Sequence, residues 1–276
     1  MTEHRGPGRT STDDHEGAGS ADAGFADAGD DLMLALLADA RLPTGAHTQS
    51  GSLEPALRGG LRPDQVPAYL AARLLTVVRV EAAVAVVARH AALGSSPGHG
   101  ADDSADDSAG RLVDTWRQWE ARTPSRALRD SAVRLGRGQQ RLLAGLWPAH
   151  RGTRALTDAT HRRRAEPGQA DGRHMHPPRA LVVGVTAACA GLSARQTARL
   201  VAYDDVQSVA GATLKLAPLD PVETIRWVVA ARRTIEDLVA DVHDLTDPAR
   251  IPASGAPLIE QWAQAHARTD ERLFSA

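Results

Sequence analysis

The chain has 276 residues, 42% of them hydrophobic but only 3% aromatic, with a formal net charge of -2. That length fits one large or two modest domains, and a core so poor in rings must be built from Ala, Leu and Val, which suit closely packed helices. A charge this small argues against a nucleic-acid backbone as the main partner, and the single cysteine, Cys189, excludes an intramolecular disulfide or a thiolate cluster.

Residues 1–30 are rich in Gly, Ala, Ser and Asp and read as a disordered acidic tail, with too few apolar side chains to order itself. This start lacks the pattern of a signal peptide. No apolar run approaches the roughly 20 residues needed to span a bilayer, so a cytoplasmic protein with no membrane partner is expected. Residues 31–276 read as one all-α, bundle-like domain with two long flexible loops, an acidic one over 94–110 and a basic one over 148–176 that carries Arg162, Arg163 and Arg164.

In chain order, Leu32, Leu34, Leu36 and Leu37 open a short helix that stops before Pro43, and Pro43-Thr44-Gly45 turns the chain. A second helix is expected to start near Thr48 or Ser50. Leu70, Leu74, Val77, Val78, Val84 and Val87 fall at three- and four-residue steps, predicting one long buried helix over 67–93. Further helices are expected over 111–121 and 124–146, the latter with Leu128, Leu135, Leu142 and Leu146 on one face. Helices over 180–190, 194–216, 221–241 and 258–272 complete the set. Pro221 suits a helix start, where its missing N–H is harmless. The best strand contender, Leu181–Val185, sits among helix-forming alanines. Trp116 and Trp119, at helical spacing, are expected in the core or a helical interface.

Candidate chemistry is sparse. The only lysine, Lys215, lies in Gly211-Ala-Thr-Leu-Lys215, which is not the glycine-rich phosphate loop of a nucleotide hydrolase. Gly136-Arg-Gly138 begins like a dinucleotide fingerprint, but no strand precedes it. There is no G-x-S-x-G elbow and no H-E-x-x-H pair. Of 11 histidines, His174 and His176, with His161 upstream, could hold a borderline metal such as nickel transiently. No carboxylate or thiolate stands beside them to close a site, so solvated loop residues remain the simpler reading.

The segment Leu36 to Glu54, with its Pro43-Thr44-Gly45 turn followed by Ser50-Gly51-Ser52-Leu53-Glu54, resembles the N-terminal signature of the urease accessory protein UreF family. Here His47 stands where the family usually has Phe, and Ser52 where it usually has Gly. Arg129-Asp-Ser131 through Gly136, His176-Pro177 with Ala180 to Gly184, and Lys215-Leu-Ala-Pro218-Leu219 resemble later family stretches in order and spacing. Asp220 and Pro221 replace the usual Gly and Gln.

This resemblance implies a helical protein that dimerises and joins a nickel-binding accessory GTPase and a urease-binding scaffold, so that nickel is loaded into apo-urease. No catalytic residue and no cofactor of its own are implied. Candidate partner-binding residues on the matching stretches are Pro43, Gly45, His47, Ser50, Glu54, Arg129 and Lys215. Two other classes stay open on the residues alone: a helical metal-binding or storage protein using the loop histidines, and a DNA-binding regulator, for which the charge-balanced helices offer no basic recognition helix.

Overall fold

The computed structural model describes residues 1–2, 31–94, 107–166, 176–269 and 273–274. Among these every regular element is helical and none is a strand. Helix α1 covers 31–37, and a 3-10 turn, Ala46–Thr48, leads to the short α2, Leu53–Arg58. There follow α3 (Val66–Leu75), α4 (Val77–Leu93), α5 (Ser108–Arg122), α6 (Arg126–Leu146), α7 (Arg151–Arg164) and α8 (Arg179–Cys189). The chain closes with α9 (Ala194–Leu216), α10 (Pro221–Ala230), α11 (Arg232–Val242) and α12 (Pro257–His266).

Helix α4 is the centre, packed against α8, α9 and α5. From Ala82 to Ala88 every side chain is buried, the signature of a helix that is apolar all round. Its valines are modest helix formers, so tertiary burial sustains the helix where propensity alone would not. Helix α8 is built alike, buried from Ala180 to Ala188, which settles the Leu181–Val185 ambiguity as helix. The two come into backbone contact: a Cβ at Gly184 would lie 2.2 Å from the Ala85 carbonyl oxygen and 2.8 Å from the Ala88 Cβ. Trp116 and Trp119 are fully buried between α5 and this core, as their spacing led us to expect.

Several expectations are corrected. The run 67–93 is two helices, divided at Thr76 (φ -124°, ψ -99°). The Thr76 hydroxyl donates to the Ala72 carbonyl at 2.6 Å, a local bond that competes with the helical ladder. The run 221–241 divides more gently at Ala231. Helix α6 does not bury its leucine stripe: Ser131, Val133, Gly138, Gln139 and Leu143 face inward, while Leu146 is exposed.

The expected flexible loop over 148–176 is wrong for most of its first half, where α7 forms. Its buried positions, Leu156, Ala159, Thr160 and Arg163, recur at helical spacing. One of them is an arginine, which hides the stripe from a hydropathy reading. Arg163 pairs with Glu120 at 2.6 Å, and its guanidinium stacks 5.4 Å over the Trp116 ring, so the charge is held where an apolar side chain would ordinarily sit. Of the expected loop 94–110, residues 108–110 already belong to α5, capped by Asp107, which accepts from the Gly110 N–H at 2.8 Å. Residues 95–106, 167–175 and the bulk of the expected tail, 3–30, lie outside the described residues.

The α4–α8 contact gives a direct test. Gly184→Ala should destabilise the fold by about 1–3 kcal/mol through overpacking. Gly211→Ala, where a Cβ meets open space, should be neutral or stabilising by up to about 1 kcal/mol. Thermal or urea unfolding of the two variants beside the wild type checks both.

Candidate functional site

The loop from Pro43 to Glu54 is shaped by three residues of positive φ: Gly45 (+82°), Gly51 (+58°) and Ser52 (+62°). Helix α6 carries its seat. A Cβ at Gly138 would fall 2.4 Å from the Thr44 carbonyl oxygen, and one at Gly136 would fall 2.0 Å from that of Pro177. The Gly136-Arg-Gly138 pair is therefore a seat for two chain segments, since only glycine lets backbone approach this closely. The Ser131 hydroxyl, one turn back, donates to Gln49 Oε1 at 2.9 Å. On the other side the Gly51 carbonyl accepts from Tyr69 Oη at 2.6 Å and from Arg73 Nη1 at 2.7 Å.

Beneath this loop lies a cavity of about 140 Å³ whose walls include Arg73, Glu81, Arg179, Asp204, Asp205 and Leu128. Arg73 makes a two-pronged pair with Asp205, with Nε 2.9 Å from Oδ2, and Arg179 pairs with Asp204 at 2.8 Å. Burial works against the Arg73 charge, but Asp205 and Tyr69 outweigh it and hold its pKa above the ordinary guanidinium value. Glu81 accepts from Trp119 Nε1 at 2.7 Å. Burial pushes its carboxyl up, against the downward pull of that hydrogen bond and of Arg179. The result is a charged chamber inside an otherwise alanine- and valine-rich bundle.

The sequence-based candidates separate on this frame. Pro43 and His47 are exposed on the outer side of the loop, and Gly45 is half-buried beside them. Ser50 and Glu54 are buried: the Ser50 hydroxyl accepts from the Glu54 N–H, and the Glu54 carboxylate accepts the backbone N–H groups of Leu273 and Phe274 at 2.9 Å each. Arg129 is tied to the carbonyls of Thr123 and Pro124 at the α5–α6 turn. The Lys215 ammonium stands 5.1 Å over the Phe274 ring. The structure thus brings Glu54 and Lys215 together around residues 273–274, and leaves Pro43, Gly45 and His47 as a separate rim.

Of the metal candidates, His174 lies outside the described residues and His161 is exposed on α7. His176 is half-buried, its pKa lowered by burial and by Arg137 and Arg164. Among the described residues no group of three or more His, Cys, Asp or Glu is placed to hold a metal ion, and no helix is long and apolar enough to cross a membrane. The chamber residues Arg73, Glu81, Arg179, Asp204 and Asp205 were not singled out from sequence. The available signal was charge at buried helical positions, with Arg73 next to Leu74 and Glu81 inside a valine run.

Fold and site define an all-α protein organised on one buried central helix, with a glycine-kinked loop roofing a charged chamber. Similarity to known proteins narrows this class. The UreF profile matches residues 62–232, and the chain belongs to the UreF family. It is 30% identical over 250 residues to the urease accessory protein UreF of Mycobacterium marinum, covering 88% of this chain and 98% of the relative. It is 32% identical over 245 residues to that of Mycobacterium sp. (strain JLS), covering 88% and 97%. Against that of Mycolicibacterium vanbaalenii it is 29% identical over 249 residues, covering 88% and 97%.

Glu81 sets a pH dependence. Its folded pKa lies above the ordinary 4.5, so the folded state keeps a proton that the unfolded state has lost. Stability then falls as pH rises from that ordinary value through the folded one. Glu81→Gln keeps an acceptor for Trp119 and removes the titration. It should melt above the wild type at pH 8, with the gap closing toward pH 4, as scanning calorimetry across that range will read.

Proposed function

We propose that this chain serves urease maturation as a non-enzymatic assembly factor, holding the accessory GTPase in a complex with the urease-binding scaffold while nickel is inserted into apo-urease. Similarity along almost the whole length of relatives named urease accessory proteins carries this reading. The site is compatible with work by contact. Pro43, Gly45 and His47 sit on a loop clamped from beneath by α6 and by Arg73, so a partner meets a preformed surface and little ordering free energy is lost on binding. The chain works as one domain over 31–276, as a homodimer, in the cytoplasm, with neither nucleic acid nor membrane as partner.

The test is co-purification of the full chain with its host's accessory GTPase and scaffold, with light scattering on the eluted species. A stoichiometric complex containing two copies of this chain is expected. His47→Asp, an exposed change that leaves the loop seat intact, should weaken assembly at least about tenfold, or 1.4 kcal/mol. Absence of association in every nucleotide state would overturn the proposal.

A further inference from the structure

Two glycines on α6 seat two chain segments, and an arginine stands between them. Gly138 lies against the Thr44 carbonyl and Gly136 against that of Pro177. At about 100° per residue, Arg137 leaves the helix midway between these seats, and it is exposed there. Arg134 and Arg141, about one turn before and one turn after, are exposed too. The three cations follow a strip about 10 Å long, given the 1.5 Å rise of a helix. It runs beside the loop of Pro43, Gly45 and His47, since a Cβ at Gly45 would touch Leu135 of the same helix at 4.0 Å.

Exposed arginines elsewhere are answered within the chain: Arg41 by Asp39, Arg62 by Asp64, Arg117 by Asp114 and Arg162 by Asp107. Arg137 and Arg141 are not. The positions three and four residues from either, which are its neighbours on a helix, hold no Asp or Glu. Among the described residues neither has an ion-pair or hydrogen-bond partner. From Ser131 to Thr157 the sequence carries Arg134, Arg137, Arg141, Arg151 and Arg154 and no carboxylate side chain, in a chain whose net charge is -2. His176, beside the second seat, registers the resulting field: after burial, Arg137 and Arg164 are what lower its pKa. Like charges at this spacing disfavour the helix that carries them. Left unanswered inside the fold, they are complementary to negative charge brought from outside.

We propose that Arg134, Arg137 and Arg141 receive an acidic face of a partner protein, which sets carboxylates along α6 at steps of about one helical turn, ~5 Å, and meets the loop at His47. The strip is short for nucleic acid, whose binding rests on many phosphate contacts, and it borders the uncharged Pro43 and Gly45, on which a protein surface can pack. The partner belongs to the assembly proposed above, on which reading this surface depends, and its contacting face is negative.

Assembly of the full chain with its host's accessory GTPase and scaffold, followed by interferometry, tests the strip. Arg137→Glu with Arg141→Glu should weaken assembly at least about tenfold, and Arg137→Gln with Arg141→Gln should weaken it by a smaller factor at unchanged helix content. Raising NaCl from about 0.1 to about 1 M shortens the Debye length from about 10 to about 3 Å and should narrow the gap between wild type and variants. Arg232→Glu with Arg233→Glu adds the same charge at exposed positions of α11 and should change affinity less than about twofold. An equal loss from that pair would reduce the effect to net charge and overturn the strip. A wild-type complex that the α6 variants leave intact would overturn it while the assembly reading stands, whereas absence of any wild-type complex removes both. Duplex DNA that binds the wild type and not the α6 variants would assign the strip to phosphate and overturn the acidic partner.

Discussion

The constraint on which the bundle depends is the contact of α4 with α8, where the Ala85 carbonyl oxygen lies 2.2 Å from where a Cβ of residue 184 would be. A contact that tight requires glycine on one side and alanines on the other. Those small residues in turn leave so little side-chain volume that the surrounding helices must close in on all sides. Helices α5 and α9 complete the enclosure of α4. Dense packing of small side chains replaces the aromatic mass that a chain this size would ordinarily bury.

Enclosing α4 on every face creates the problem that the chamber solves. Glu81 lies on that helix, Arg73 one helix earlier, Arg179 at the start of α8, and Asp204 and Asp205 on α9, so five ionisable groups are carried inward by helices that build the core. Each finds a partner there: Arg73 with Asp205, Arg179 with Asp204, and Glu81 with the Trp119 indole. Removing one member of such a pair leaves an uncompensated charge and is far more damaging than replacing both. Arg73 does further work, since it also donates to Gly51. The charge pair of the interior and the conformation of the outer loop are thereby one linked network.

What was legible in the sequence followed hydropathy. The all-α class, the bounds of α9 and the burial of Trp116 and Trp119 came from apolar spacing. The breaks at Thr76 and the existence of α7 did not, because one is decided by a hydroxyl bonding back to Ala72 and the other by an arginine buried against Glu120 and Trp116. The candidate site was half legible. Family-like residues marked Glu54 and Lys215, which sit more than 150 positions apart in the chain and meet only through Leu273 and Phe274. Nothing local to either residue encodes that meeting. The seat at Gly136 and Gly138 was visible as two glycines in a helix, but its purpose depends on Thr44 and Pro177, supplied from opposite directions along the chain.

Ser52 shows how the loop is kept rigid. A residue with a Cβ at φ +62° bears roughly 1–2 kcal/mol of left-handed strain, and it follows Gly51 at φ +58°, so the chain reverses sharply before α2. Such strain persists only where both sides are fixed. Tyr69 and Arg73 fix the Gly51 carbonyl on one side. On the other, Glu54 is fixed by Arg58 and by the amides of 273 and 274. The strained reversal is therefore clamped between the charged chamber and the contact of Glu54 with residues 273 and 274. Whatever loosens either clamp will be felt at Pro43, Gly45 and His47, which stand on the free side of the same loop.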